Sequence, residues 1–233
     1  ASRTNARIST LPSIYGESIV IRLLRATAIP RINDLGMEPA GLSIVREAYA
    51  RSEGLILLTG PTGSGKTTTM YSVVQELVQS GRNVVTVEDP VEARLSGVVQ
   101  VQVALEQGLD YPRAIRSVLR HDPDVLLIGE MRDGVSASIG LDASSTGHLT
   151  LSSLHIGSSL HVLVRMQALG VAVARVVPAL SIVLNQRLLP KLCGACKVID
   201  HSIQSASGAR LFKAVGCARC CRTGYQGRVL ITE

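Results

Sequence analysis

Leu55-Ile56-Leu57-Leu58-Thr59-Gly60-Pro61-Thr62-Gly63-Ser64-Gly65-Lys66-Thr67-Thr68 is the stretch that decides the architecture. Its second half matches G-x-x-x-x-G-K-[ST], an apolar strand precedes it, and a helical segment opens near Lys66. Strand, glycine-rich loop and helix together are the context of a phosphate-binding loop. Gly63 and Gly65 let the backbone curl so that its N–H groups converge on phosphate, and the helix N-terminus adds partial positive charge. Lys66 is placed to reach β- and γ-phosphates and the Thr67 hydroxyl to hold Mg²⁺. Gly60, Pro61, Thr62, Gly63, Ser64, Gly65, Lys66, Thr67 and Thr68 form the expected ATP-binding segment.

Outward from this loop, apolar runs alternate with helical patterns. Strands are expected over 55–59, 83–88, 98–103, 124–129 and 148–154, and helices over 66–80, 111–121, 134–145 and 158–168. Such alternation predicts an α/β domain with a largely parallel sheet. Val99, Val101 and Val103 alternate with Gln100 and Gln102, so that strand has one wet face and belongs at an edge or in a side hairpin. Upstream, 7–11 and 18–23 read as two short strands around a turn, the last hairpin of a preceding domain. Pro30, Asn33, Asp34 and Gly36 give residues 26–38 a linker composition, and a helix with Leu42, Val45 and Ala48 on one side follows Pro39. The expected organisation is a hairpin at 1–25, a linker at 26–38, a P-loop core at 39–189 and a small module at 190–233, in a chain trimmed at both ends.

Of the 233 residues 46% are apolar, which excludes a disordered tail and permits a sizeable core. The apolar stretch from Val171 to Leu184 is broken by Arg175 and Pro178 and is shorter than the roughly 20 residues of a membrane-spanning helix. The N-terminal residues have no apolar run of a signal peptide. A net charge of +6 is compatible with nucleic acid, a membrane surface or an acidic protein as partner. Aromatic residues make up 3% of the chain, with no Trp, which leaves little for the stacking platforms of single-strand binders. The P-loop and the positive charge suggest a nucleic-acid-translocating or DNA-uptake ATPase as the alternative reading, against which the shortage of aromatics speaks, and a binding module with a degenerate nucleotide site is disfavoured by the intact Lys66-Thr67.

A P-loop needs an acid at the end of a neighbouring strand. The run Asp124 to Gly129 delivers Glu130 to the ligand-binding edge of such a sheet, and Val84 to Val87 ends in the carboxylates Glu88, Asp89 and Glu92. One carboxylate can orient Mg²⁺ while another polarises the attacking water, and solvated acids at strand ends are the plainer alternative. Arg113, Arg116 and Arg120 share one helix face, either a solvated stripe or a row facing another subunit. His148 and His155 bracket the strand over 148–154, with His155 at the same edge as Glu130.

Cys193-x₂-Cys196 and Cys217-x₂-Cys220, 20 residues apart, have the spacing of a tetrahedral Zn²⁺ site, with disulfides as the rival and Cys221 as a spare.

These residues, taken together, resemble the secretion ATPases that power type II secretion and type IV pilus assembly. The resemblance rests on Gly60–Thr67, Thr86–Glu92, Arg120–Asp133 and Thr146–His155, and extends to Gly16–Arg22, Leu35–Met37 and Asn185–Leu188. It implies a RecA-like P-loop core carrying the end of an N-terminal α+β domain and a small C-terminal zinc module. It further implies a homohexamer that hydrolyses ATP with Mg²⁺ at the cytoplasmic face of the inner membrane and drives membrane platform proteins. By the same resemblance Lys66 and Thr67 form the Walker A site, Glu130 with Thr67 holds Mg²⁺, and Glu92 is the catalytic glutamate. His148 and His155 form a histidine box, and Arg7 and Arg22 are the pair that the preceding domain closes over the γ-phosphate. A tetracysteine module is a mark of the assembly motors. Ile156–Ser159 and Ala104 depart from the family pattern.

Overall fold

The computed structural model of the protein describes residues 5–24, 28–203 and 208–233, with the backbone alone at residues 5, 7 and 22–24. Strands β1 (Asn5–Ser13) and β2 (Gly16–Leu24) make an antiparallel hairpin that sets Ile8 opposite Ile21 and Arg7 opposite Arg22. The arginine side chains of that last pair lie outside the described residues.

The segment with linker composition is not loose where it is described. Ile32–Leu35 forms a 3₁₀ turn, Ile32 is fully buried, and the Ser72 hydroxyl donates to the Pro30 carbonyl at 2.8 Å. Pro, Asn and Gly report that a chain turns, and tertiary contacts decide whether the turn is packed. Helix α1 (Pro39–Ala50) follows, with Val45, Ala48 and Tyr49 buried.

Strand β3 (Gly54–Thr59) enters the phosphate loop and helix α2 (Lys66–Gln79) leaves it. Then come β4 (Val84–Glu88), β5 (Val99–Gln102), α3 (Tyr111–Val118), β6 (Val125–Ile128), α4 (Gly134–Ser144) and β7 (Leu149–Leu154). The chain continues through α5 (Val162–Ala168), α6 (Val173–Ala179) and β8 (Leu180–Leu192), then the two-residue strands β9 (Val198–Ile199) and β10 (Phe212–Lys213), and ends in β11 (Tyr225–Thr232). The main sheet runs β11-β8-β3-β7-β6-β4-β5, parallel throughout except for the β11-β8 pair. β5 lies at an edge, as the Val/Gln alternation predicts.

β3 and β6 are buried along their whole length because helices cover both faces of the sheet. Leu55, Leu57, Leu126 and Ile128 pack on one side with residues of α3 to α6, while Ile56, Leu58, Val125 and Leu127 pack on the other with α1 and α2. Period-two side-chain direction thus splits each continuous apolar run between two cores. The helix expected over 111–121 is α-helical only to Val118, then tightens into a 3₁₀ turn over Leu119–His121 that Asp122 closes at φ 50°.

The C-terminal region differs most from expectation. The apolar stretch 171–184 is α6 and the first half of β8, and among the described residues no helix is long and apolar enough to cross a membrane. β8 runs through the boundary expected at 189–190: its first half pairs with β3, its second half with β11. That second half is mostly exposed, so it lacks the apolar signature that marks the central strands.

Candidate functional site: a phosphate cradle ringed by carboxylates

The loop between β3 and α2 curls tightly enough to need glycine. Gly60 has φ 140°, and a Cβ there would lie 2.3 Å from the Gln186 carbonyl oxygen on β8. Gly65, the N-cap of α2, has φ 92°. Lys66 opens the helix and is buried, donating to the carbonyls of Gly60 at 2.8 Å and Pro61 at 3.1 Å. Burial pulls its ammonium below the ordinary lysine value, and the nearby Glu130 charge opposes that shift. Gln186 also donates to the Thr69 hydroxyl at 2.8 Å, which ties β8 to the loop's helix.

Above this loop is a cavity of about 510 Å³, lined by Thr62 to Thr68 on one side and by Glu88, Asp89, Pro90, Glu92, Glu130, Arg132 and His155 on the other. The Ser64 hydroxyl is buried without a protein partner. Converging N–H groups, a lysine and that hydroxyl make a donor set suited to a phosphate chain.

Parallel strands end on the same side, so β4 and β6 deliver their terminal acids to one crevice. Glu130 Oε1 lies 3.3 Å from His155 Nε2, and Glu130 Oε2 accepts from Arg132 Nε at 2.7 Å. Arg132 reaches on to Asp89 at 2.9 Å, and His155 Nδ1 lies 3.4 Å from Lys66 Nζ. A neutral imidazole with its proton on Nε2 satisfies both of its contacts, accepting from lysine and donating to carboxylate. The result is a continuous chain Lys66, His155, Glu130, Arg132, Asp89. Glu88 is buried in the wall beneath it. One of its oxygens accepts from Thr86 at 2.6 Å and from Gln100 at 3.3 Å, the other from the Tyr71 phenol.

Some residues singled out in the sequence lie elsewhere. His148 is at the opposite end of β7 from His155, roughly 20 Å of strand away at about 3.3 Å per residue. Its Nδ1 sits 3.2 Å from the Ala143 carbonyl at the end of α4, so it caps a helix and does not line the cavity. Arg113, Arg116 and Arg120 are exposed together outside the cavity, and two of them donate to nearby backbone carbonyls, Arg113 to Gly108 and Arg120 to Arg116. The cavity also has walls that sequence reasoning did not assign: Tyr111, Arg132, Leu188 and Arg228. Arg132 lies two residues past Glu130 and was legible as a polar neighbour. Arg228 arrives from β11, and only the pairing of β11 with β8 brings it there.

A second cluster closes the far end of the β8–β11 ribbon. Cys193 follows β8, Cys220 sits in the 3₁₀ turn before β11, and the Cys193 N–H donates to the Gly224 carbonyl at 2.9 Å. The sulfurs of Cys193, Cys196, Cys217 and Cys220 all lie within 4.8 Å of one another, and three pairs are 3.8 to 4.0 Å apart. Backbone N–H groups of Cys217 and Gly224 point at the Cys220 sulfur, each at 3.2 Å, and hold its thiol down to about 6. Burial pushes Cys196 up to about 11. Cys221 is exposed and outside the cluster.

The chain is similar along nearly its whole length to known proteins. It is 44% identical over 237 residues to type II secretion system protein E of Klebsiella pneumoniae, covering 98% of this chain and 48% of that protein. With the type IV pilus assembly ATPase PilB of Thermus thermophilus the identity is 41% over 239 residues, covering 97% and 27%. The chain thus spans about half the length of the first relative and about a quarter of the second. Among solved structures, the pilus retraction motor PilT with bound ADP matches with a TM-score of 0.70 at 30% identity, covering 97% of this chain and 59% of that one. The Legionella pneumophila ATPase DotB shares the fold, with a TM-score of 0.66 at 24% identity over 90% of this chain and 56% of that one. A family described as type II/IV secretion system protein matches residues 1–233, and the chain belongs to that family.

Proposed function

We propose that this chain is the catalytic part of a motor that hydrolyses ATP to drive pseudopilus or pilus assembly. The observation that carries this is the glycine cradle facing a ring of strand-end acids, with Lys66, His155 and Glu130 in contact across it. The sheet around it is read as a RecA-like core, with the hairpin of β1 and β2 as the end of the preceding domain. Thr67 and Glu130 both line the cavity and would hold Mg²⁺, which neutralises phosphate charge when bound. Glu92 polarises the attacking water, and His155 holds Glu130 and Lys66 in register.

The four cysteines fit zinc. A tetrahedron with Zn–S bonds of about 2.3 Å has edges of about 3.8 Å, which agrees with the sulfur separations, and N–H groups aimed at sulfur favour thiolate. Such a module favours the assembly motors of the family over the retraction motors. The working unit is a homohexamer bound peripherally at the inner membrane to platform proteins, with Arg113, Arg116 and Arg120 facing a neighbouring subunit.

The test is Mg²⁺-dependent phosphate release from ATP by the purified protein. Glu130→Gln is expected to raise the Mg²⁺ concentration needed for half-maximal rate several-fold, because it removes the anionic ligand. An unchanged Mg²⁺ titration would refute that role.

Arg7 and Arg22 lie before the segment at 28–38, and Lys66, Glu92 and Glu130 after it. A guanidinium on the γ-phosphate forms charge-assisted bonds that are lost on hydrolysis, which gives ATP differential affinity for a closed arrangement. Arg7→Ala and Arg22→Ala are expected to cut ATPase activity and to abolish a nucleotide-dependent change in distance between labels on the hairpin and on the core. Parent-like hydrolysis and closure in both variants would leave the arginines without a role in the cycle.

A further inference from the structure

Helix α2 carries both the phosphate loop and, five residues past Lys66, a tyrosine that is 1% exposed. The Tyr71 oxygen joins the end of β4 to the loop that follows it, where the Ala93 backbone also faces it. It donates its proton to the carboxylate of Glu88, the last residue of β4, and it accepts the backbone N–H of Glu92 at 3.2 Å. Glu88 is itself held on its other oxygen by Thr86 and by Gln100 of the edge strand, so the acceptor of the phenol is fixed. Gln100 also accepts the N–H of Leu95 at 2.8 Å and donates to the Ala93 carbonyl at 3.0 Å, which clasps the far side of the same loop.

We infer that Tyr71 is a positioning residue for Glu92: its phenol, locked onto Glu88, pins the backbone of the water-activating acid to the helix that grips the phosphates. The reading rests on the role proposed above for Glu92. A phenol that donates to a buried carboxylate has only its lone pairs to offer, so it takes backbone N–H donors, that of Glu92 at 3.2 Å with Ala93 beside it. Burial and the Glu88 carboxylate both raise the Tyr71 pKa, which keeps that proton in place across the working pH range. The residue pair also explains why a carboxylate occurs in the cavity wall with no oxygen left over for chemistry. Glu88 orients the tyrosine, and the tyrosine sets how far Glu92 stands from the loop. A displacement of about 1 Å in a reacting group is enough to lower a rate by about 10²-fold.

Tyr71→Phe keeps the ring and its packing and removes only the oxygen. Turnover is expected to fall about tenfold, with the KM for ATP and the affinity for a non-hydrolysable ATP analogue changed by less than about twofold. The same substitution in a Glu92→Gln background is expected to cost nothing further, because a residue that acts through Glu92 has nothing left to position. A general loosening of the fold would slow both backgrounds alike and would overturn the inference, as would a parent-like rate for Tyr71→Phe. If Glu92→Gln itself is parent-like, the role of Glu92 fails and the positioning role falls with it. A slow Glu92→Gln beside a fast Tyr71→Phe removes the positioning role alone. Should Tyr71→Phe not fold, Glu88→Gln reads the same coupling. It leaves an amide oxygen for the phenol but turns the other atom into a donor facing Thr86 and Gln100. Its loss of rate is expected in the parent and absent in the Glu92→Gln background, and equal losses in both would overturn the inference.

Discussion

Glu92→Gln is expected to lower ATP turnover by about 10²-fold or more while leaving ATP binding intact, the range for removing a general base. The four carboxylates around the cavity do not have equal standing. Glu88 is buried with three donors on its two oxygens, and Asp89 is bridged to Arg132. Glu130 is shared between His155 and Arg132, an arrangement suited to holding a fixed charge. Glu92, exposed like Asp89, lines the cavity on the loop after β4, and its backbone is anchored from below. Glutamine preserves shape and removes the basicity, so the loss falls on the chemical step and leaves ground-state binding unchanged. Single-turnover phosphate release beside binding of a fluorescent ATP analogue separates the two. Parent-like release from a variant that binds ATP normally would sink the assignment.

Loss of the Zn²⁺ proposed for the cysteine cluster is expected to release the C-terminal strand. Purified protein should hold about one Zn²⁺ per chain, and Cys193→Ser or Cys217→Ser should hold close to none. Structural zinc sites contribute folding free energy of about 10–16 kcal/mol in zinc-finger peptides. Here the ribbon has its own backbone ladder, so the loss is smaller and local. β11 is the outer strand of the sheet, paired among the described residues only with β8 and closed at its start by the cysteines. Amide exchange over Tyr225–Thr232 should therefore accelerate on chelation, while β3 and β6 stay protected. Since Arg228 of β11 lines the cavity proposed to bind ATP, nucleotide affinity should weaken in the same variants. Cys221→Ser, outside the cluster, should match the parent in metal content and exchange. Protein free of zinc with Cys193 and Cys196 oxidised to each other would overturn the metal reading.

The parts legible in the residues were those with a local cause. The loop from Gly60 to Thr67 needs glycines, a lysine and a hydroxyl at fixed offsets, whatever surrounds it. The central strands announce themselves as continuous apolar runs because both of their faces are covered. The cysteine spacing likewise carries its own geometry, and the two acids at strand ends follow from parallel strands all finishing on one side of a sheet.

What periodicity could not reveal depends on neighbours distant in the chain. The second half of β8 and all of β11 lack an apolar alternation because they form an exposed antiparallel ribbon, and their pairing is a tertiary event. His148 and His155 look equivalent as a pair around one strand. Strand direction alone puts one beside Glu130 and the other under the end of α4. Ile32 sits in a segment with the composition of a linker and is buried because α2 packs on it. Glu88 reads as one more acid in an acidic cluster until Tyr71, 17 residues earlier on another element, is seen to take its oxygen. Local chemistry therefore specified the loop, the central strands and the residue types of the site. Contacts between remote segments decided how Glu88 and Glu130 are held, which histidine lines the cavity, and how the last strand completes it, because hydrogen bonds and burial act across space and are blind to sequence order.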